Sequence, residues 1–212
     1  RLSSLYPAGI VEYAQEGYYV SLPKVISQDK AMPVLVCLPG WGVRARGDIN
    51  TWAFPAGKKG FVLIDIDINY SSVGSDSDVK ALYKRIQDIV TSVSKEHNID
   101  RNMVFIAGTS AGGMMAISLA LSSPTKFRAI GVISGGRLSF GAEAYLKNAK
   151  GQLFCFYHGQ RDKPIPVGEF YNTKKKLERN GAIVEFKVIP EGTHTLPSGY
   201  YKELVDWFYQ LS

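Results

Sequence analysis

Met103-Val-Phe-Ile-Ala107 runs straight into Gly108-Thr-Ser-Ala-Gly112, and Gly113-Met-Met-Ala-Ile-Ser-Leu-Ala-Leu-Ser122 follows. The first run has the length and apolarity of a buried strand, and the last is built from good helix formers. Between them lies Gly-x-Ser-x-Gly. A serine at the apex of so sharp a turn is held in a strained backbone conformation, and the residues two places either side must lack side chains for strand and helix to pass closely. The stretch therefore predicts a strand, a tight turn and a helix, with the hydroxyl of Ser110 projecting above the end of a sheet. With 21 glycines in 212 residues the pentapeptide is a weak signal by itself, so its context has to carry the reading.

Outward from this junction the chain alternates. Pro33–Leu38, Phe61–Ile64, Ala129–Ile133, Leu153–Tyr157 and Val184–Ile189 are strand-length runs, mostly apolar on both faces, as expected of strands in the middle of a covered sheet. Val79, Leu82, Tyr83, Ile86, Ile89, Val90 and Val93 recur at helical spacing behind Ser75 and Asp78, a capping box. Further helices are expected over Gly112–Ser122, Ala142–Lys147, Val167–Arg179 and Gly199–Tyr209, with Pro124 and Gly181 marking two ends. Val11–Tyr13 and Tyr18–Leu22 flank Glu16-Gly17 as two short antiparallel strands, and 41–60 reads as loop-rich with room for one short helix. Such alternation predicts a mostly parallel sheet with helices on both faces, formed by residues 1–212 as one domain, with ligands bound at the carboxyl ends of the strands.

Composition narrows the function classes. Hydrophobic residues make up 45% and charged residues 21%, ordinary values for a globular chain. The balance of 25 basic against 19 acidic residues, net +6, includes no arginine-rich tract, so no nucleic-acid partner is expected, and Lys174-Lys-Lys176 reads as the solvated face of a helix. No apolar stretch approaches the roughly 18 residues of a spanning helix, so no integral membrane association is expected. Cys37 and Cys155 sit in apolar runs, where buried unpaired cysteines are common. The sequence opens on Arg1; if a signal peptide has been removed, a secreted or periplasmic protein is expected, and otherwise a cytoplasmic one.

A serine hydroxyl needs an adjacent base to become a nucleophile. Of the three histidines, His97 lies at the polar end of a helix, and His158 precedes a turn where a packed, hydrogen-bonded role is expected. His194, in Glu191-Gly-Thr-His-Thr-Leu196, follows the last strand and precedes the last helix, on a loop that opens at the carboxyl edge. Asp162, after the strand Leu153–Tyr157, is the acid expected to fix the tautomer of His194, with a helix N-cap as its alternative role and Glu143 as the competing acid. The chain order Ser110, Asp162, His194 is that of the α/β-hydrolase arrangement and not of the other two well-known triad orders. Backbone N–H groups must hold the developing oxyanion. Ala111 is one expected donor and Trp41, in Leu38-Pro-Gly-Trp-Gly42, the other, with Gly42 as its alternative.

At this point the sequence resembles the α/β-hydrolase superfamily, and within it compact esterases of the poly(3-hydroxybutyrate) depolymerase-like and feruloyl esterase-like kinds. The resemblance rests on Gly108–Ala116, on His158-Gly159 followed by Asp162 and Pro166, and on Gly192-Thr-His194, spanning Pro33 to the C-terminus. It implies a three-layer α/β-hydrolase fold with no large lid domain, carboxylic-ester hydrolysis on a small-molecule ester, and no metal or other cofactor. Many such relatives carry His-Gly where this chain has Pro39-Gly40, which puts the shape of the oxyanion loop in question.

Other readings are weaker. The glycines at 108–113 lack the Gly-x-Gly-x-x-Gly spacing of a dinucleotide loop, and Asp65 and Asp67 without histidine partners read as a polar strand end. Arg46-Gly-Asp48 matches an adhesion tripeptide by coincidence. Arg44, Arg46 and Arg137 are expected on loops after strands, where they read first as solvated surface charges and, in the alternative, as favouring an acidic or polar substrate group. Thioesterase or serine peptidase activity is the alternative within the same chemistry, and use of the fold for binding alone is the alternative of a different class.

Overall fold

The computed structural model describes residues 9–13, 16–23, 30–123 and 127–212. Their strands form an eight-stranded sheet: β1 (Ile10–Tyr13), β2 (Tyr18–Ser21), β3 (Met32–Leu38), β4 (Val62–Ile66), β5 (Ile99–Thr109), β6 (Ile130–Ile133), β7 (Leu153–Gly159) and β8 (Ile183–Ile189). The spatial order is β1-β2-β4-β3-β5-β6-β7-β8. β1 and β2 pair antiparallel, as does β2 with β4, and every pairing from β4 across to β8 is parallel. This is the mostly parallel α/β-hydrolase sheet.

Period-2 alternation divides the core. Val34, Val36 and Leu38 of β3 and Ile106 of β5 pack on one face with α2 (Asp76–Glu96), α3 (Ala111–Ser122) and α4 (Val167–Arg179). Leu35 and Cys37 of β3 and Phe105 and Ala107 of β5 face the other way, toward α1 (Ala45–Lys58) and α5 (Ser198–Gln210). Both faces of the central strands are therefore dry, which explains their unbroken apolar runs. After β3 the chain steps to one side for β4 and then crosses to the other side for β5, so the crevice between the ends of β3 and β5 is a topological switch point, where ligands bind in open α/β sheets.

The helices follow local chemistry. Ser75 caps α2 and forms a reciprocal capping box with Asp78. α4 and α5 occupy the expected spans within a residue, and Lys174 and Lys176 lie on the surface of α4, paired with Glu178 and Glu143. Pro124 lies outside the described residues.

Three expectations need correction. The 41–60 segment is mostly helix, because α1 runs from Ala45 to Lys58 and buries Ile49, Trp52, Ala53 and Ala56; its stripe is masked in the sequence by glycines, asparagine and the internal Pro55. The expected helix at 142–147 is a 3-10 segment over Ala142–Ala149. β8 is an edge strand and not an interior one, with Ile183 and Phe186 exposed.

Candidate active site

Ser110 sits between β5 and α3 at φ 55° and ψ −120°, a left-handed conformation that non-glycine residues seldom adopt. The two flanking glycines are sterically required. A Cβ on Gly108 would come within 2.2 Å of the Gly112 carbonyl carbon, and a Cβ on Gly112 within 1.9 Å of the Leu38 carbonyl oxygen. The strained turn is pinned by Ser110 N–H donating to Ile133 O at 2.9 Å and by Met114 N–H donating to Ser110 O at 3.0 Å.

His194 lies on the loop between β8 and α5, with Nε2 2.9 Å from Ser110 Oγ. Its Nδ1 faces both carboxylate oxygens of Asp162, at 3.0 Å from Oδ1 and 2.8 Å from Oδ2. The three residues expected to act together are thus brought into one hydrogen-bonded chain, although 84 positions separate Ser110 from His194. Because a carboxylate only accepts, Nδ1 carries the ring proton and Nε2 is left to accept from the serine hydroxyl.

Asp162 is 4% exposed, on the loop after β7. Its Oδ1 also accepts from Ile165 N–H at 2.9 Å, closing a tight turn. It does not cap α4, which starts at Val167 behind Pro166. Glu143, the competing acid, is engaged with Lys176 on the surface. The packed role expected for His158 is observed: the ring is 1% exposed, stacks on Phe170, and donates from Nε2 to Ile165 O at 2.8 Å, with Asp162 Oδ2 at 3.4 Å. Burial pushes this imidazole below its ordinary value, which keeps it neutral beside Asp162. His97 ends α2 as its C-cap.

The loop after β3 leans on the serine. Gly40 is so close that an added Cβ would lie 3.5 Å from Ser110 Cβ and from Thr109 O. Gly40 O accepts from Val43 N–H at 3.1 Å, with Gly42 at φ +75°, a turn whose third residue has to be glycine-like. Trp41 and Gly42 therefore occupy the tip of a turn beside Ser110. Ala111 begins α3, where the first turn leaves backbone N–H groups without intrahelical acceptors.

Some neighbours of the site carry no sequence signal. Tyr70, in a polar stretch after β4, donates its hydroxyl to Pro39 O at 2.5 Å. Its ring stacks between Trp41, centroids 5.9 Å apart, and Phe140, at 5.8 Å. Trp41 is 61% exposed and borders a groove of ≈ 580 Å³ that also includes Arg44, Asp67, Asn69 and Tyr70. Arg44 and Arg137 lie on loops, Arg44 bordering the groove while paired with Asp67 at 3.0 Å and Arg137 3.6 Å from Glu169, whereas Arg46 is within α1 and not on a loop.

Asp65 is not a solvated strand end. It is fully buried on the α1 and α5 side of β4, with the Asp48 carboxyl in hydrogen-bonding contact. Burial, with the charges of Asp48 and Asp67, pushes its carboxyl well above the ordinary range. Asp67 turns away to accept from Ala45 N–H at 2.8 Å, so the two carboxylates do not converge. Among the described residues no His, Cys, Asp or Glu cluster could hold a metal, no helix is long and apolar enough to cross a membrane, and Cys37 and Cys155 are buried and unpaired.

A sequence profile of the phospholipase/carboxylesterase family matches residues 52–210, which takes in Ser110, Asp162 and His194. The chain belongs to the phospholipase/carboxylesterase family. Of the curated proteins similar to this chain, feruloyl esterase D of Neurospora crassa is 50% identical over 52 residues, covering 24% of this chain and 18% of that protein. A probable feruloyl esterase C of Aspergillus terreus is 32% identical over 94 residues, 44% of this chain and 33% of that one. The matched stretches thus span a third or less of these relatives. A thermostable esterase of known structure superposes with a TM-score of 0.72 at 22% identity, over 91% of this chain and 58% of that one, a likeness of fold.

Proposed function

We propose that this member of the phospholipase/carboxylesterase family is a serine carboxylic-ester hydrolase that works through an acyl-enzyme, with residues 1–212 as one catalytic domain. The observation that carries the proposal is the unbroken relay from Asp162 through His194 to Ser110. Ser110 Oγ attacks the ester carbonyl carbon while His194 Nε2 takes its proton; Asp162 stabilises the resulting imidazolium. The tetrahedral oxyanion accepts hydrogen bonds from the N–H of Ala111 and of Trp41, or of Gly42 in its place. Collapse breaks the bond to the alkoxy oxygen, which leaves with the proton from His194. Water, deprotonated by the same nitrogen, then resolves the acyl-enzyme to the acid and free serine.

The substrate class is a small ester with an aromatic acyl group. Two observations support it: the feruloyl esterases among the relatives, and the exposed Trp41 ring on the turn beside Ser110, backed by the buried Tyr70 ring. A planar acyl group gains most from the open Trp41 ring, since stacked rings add roughly 0.5–1.5 kcal/mol beyond burial.

The test is labelling by a fluorophosphonate probe, followed by turnover of matched aromatic and aliphatic esters. Wild type is expected to react at Ser110, and Ser110→Ala to lose labelling and at least about 10⁴-fold in kcat. A folded wild type that neither labels nor turns over any acyl ester, thioester or amide would make the fold a binding module.

A further inference from the structure

β8 closes the sheet on one side, and among the described residues no strand pairs with its outer edge. Within a strand, the N–H and C=O of one residue point to the same side, and successive residues alternate. Ile183 N–H donates to Gln152 O at 2.9 Å, and Ile189 O accepts from Gln160 N–H at 2.8 Å, so Ile183, Glu185, Lys187 and Ile189 direct their backbone toward β7. Val184, Phe186 and Val188 consequently direct theirs out of the sheet. Such a row of unpaired groups is a template for another strand. It is not protected by brevity or by proline within the strand, and Ile183 and Phe186 are 57% and 47% exposed.

The strand reads Ile183-Val-Glu-Phe-Lys-Val-Ile189, which is complementary to itself when reversed. We propose that β8 is a self-association surface, on which a second copy of this chain pairs antiparallel about a two-fold axis through Phe186. In that register Phe186 faces its own equivalent on the axis, while Val184 faces Val188, Glu185 faces Lys187 and Ile183 faces Ile189, each of these three twice by symmetry. Backbone parity agrees with the axis. Val184, Phe186 and Val188 become the pairs that exchange both hydrogen bonds, and Glu185 with Lys187 becomes the closer, non-hydrogen-bonded pair, where side-chain interaction is strongest.

The faces also agree. Lys187 lies toward α5, where it meets Glu203 at 3.0 Å, and Glu185 shares that face by parity. Phe186 lies toward α4, 4.9 Å under Lys174 Nζ and 5.6 Å from the Phe170 ring, with Val184 and Val188 beside it. Pairing therefore sets apolar against apolar on the α4 face, and opposite charges flanked by isoleucines on the α5 face. Glu185 has no ion-pair partner among the described residues, and Lys187 of the second copy would supply one. A one-residue slip would move every one of these matches to the wrong face, so the charges fix the register.

The test is sedimentation and light scattering of the 212-residue chain at micromolar concentration, with circular dichroism to establish folding of each variant. Wild type is expected at close to twice 23.4 kDa. Glu185→Lys and Lys187→Glu each oppose like charges across the axis and are expected to raise the dimer dissociation constant about tenfold or more. An equimolar mixture of the two variants restores both pairs, so the mixture is expected to regain the dimer. Phe186→Pro removes an outward N–H without touching the β7 ladder and is expected to yield a folded monomer. A monomeric wild type overturns the proposal, as does a dimer that both charge variants leave unchanged or a mixture that stays monomeric.

Discussion

The hydroxyl of Tyr70 and the carbonyl of Pro39 are 2.5 Å apart, a bond that ties the turn carrying Trp41 and Gly42 to a residue 31 positions away. Burial first, then the carboxyls of Asp48 and Asp65, pushes the phenol up, so Tyr70 remains protonated and is always the donor. Where many relatives of the α/β-hydrolase type carry His-Gly, this chain has Pro39-Gly40, and proline contributes a carbonyl but no N–H. Loosening that anchor loosens the expected oxyanion donor. Tyr70→Phe keeps the stack on Trp41 and Phe140 but loses the bond; kcat on an aryl ester is expected to fall about tenfold with KM nearly unchanged. A rise in KM at constant kcat would mean that the tyrosine serves binding only.

Asp162→Asn preserves shape and can still accept from Ile165 N–H, but its amide can donate to Nδ1 and favour the wrong tautomer of His194. The expected loss is about 10⁴-fold in kcat with a melting temperature close to wild type. Steady-state turnover and a thermal melt together check this. A loss below tenfold would remove Asp162 from the relay.

Two glycine-to-alanine changes should have opposite signs. At Gly112 the new methyl would lie 1.9 Å from Leu38 O, so β3 and α3 must separate; the expected cost is about 3 kcal/mol or more, with loss of turnover. Gly199, in α5, has nothing within 4 Å of an added Cβ, and alanine there is expected to stabilise by about 0.5–1 kcal/mol. Urea unfolding of both variants measures the contrast. A neutral Gly112→Ala would refute the close packing of strand and helix.

Asp65 couples stability to pH with a sign opposite to that of a salt-bridged acid. Its carboxyl is held above the ordinary range by burial, by the Asp48 carboxyl hydrogen-bonded to it and by Asp67; Asp48 is itself raised by burial, and the Cys37 thiol and Tyr70 phenol are also coupled to Asp65. The native state therefore keeps a proton that the unfolded chain releases above about pH 4, and stability falls as pH rises from there until the raised value is passed. Asp65→Asn removes the larger, fully buried share of that dependence and leaves the share carried by Asp48. The variant is expected to melt a few degrees above wild type at about pH 8 and level with it at about pH 4, since roughly 2–4 °C corresponds to 1 kcal/mol in a chain of this size. A variant that melts lower at the higher pH would show the carboxylate to be stabilising.

What could be read from the sequence was what local sterics and period dictate. Gly108 and Gly112 announce a close passage of backbone whatever surrounds them, Ser75 and Asp78 cap their helix with neighbours only, and unbroken apolar strands require a sheet covered twice. The order of Ser110, Asp162 and His194 along the chain named the residues that the fold later brings within hydrogen-bonding distance. Tertiary structure decided the rest. The anchor from Tyr70 to Pro39, the buried pairing of the Asp65 and Asp48 carboxyls and the outer edge of β8 each depend on which elements become neighbours across the sheet. Nothing in a polar Asn69-Tyr-Ser-Ser72 stretch or an apolar Ile183–Ile189 run encodes its partner. Contacts between distant segments are made by packing, and packing is a property of the whole chain that no local pattern carries.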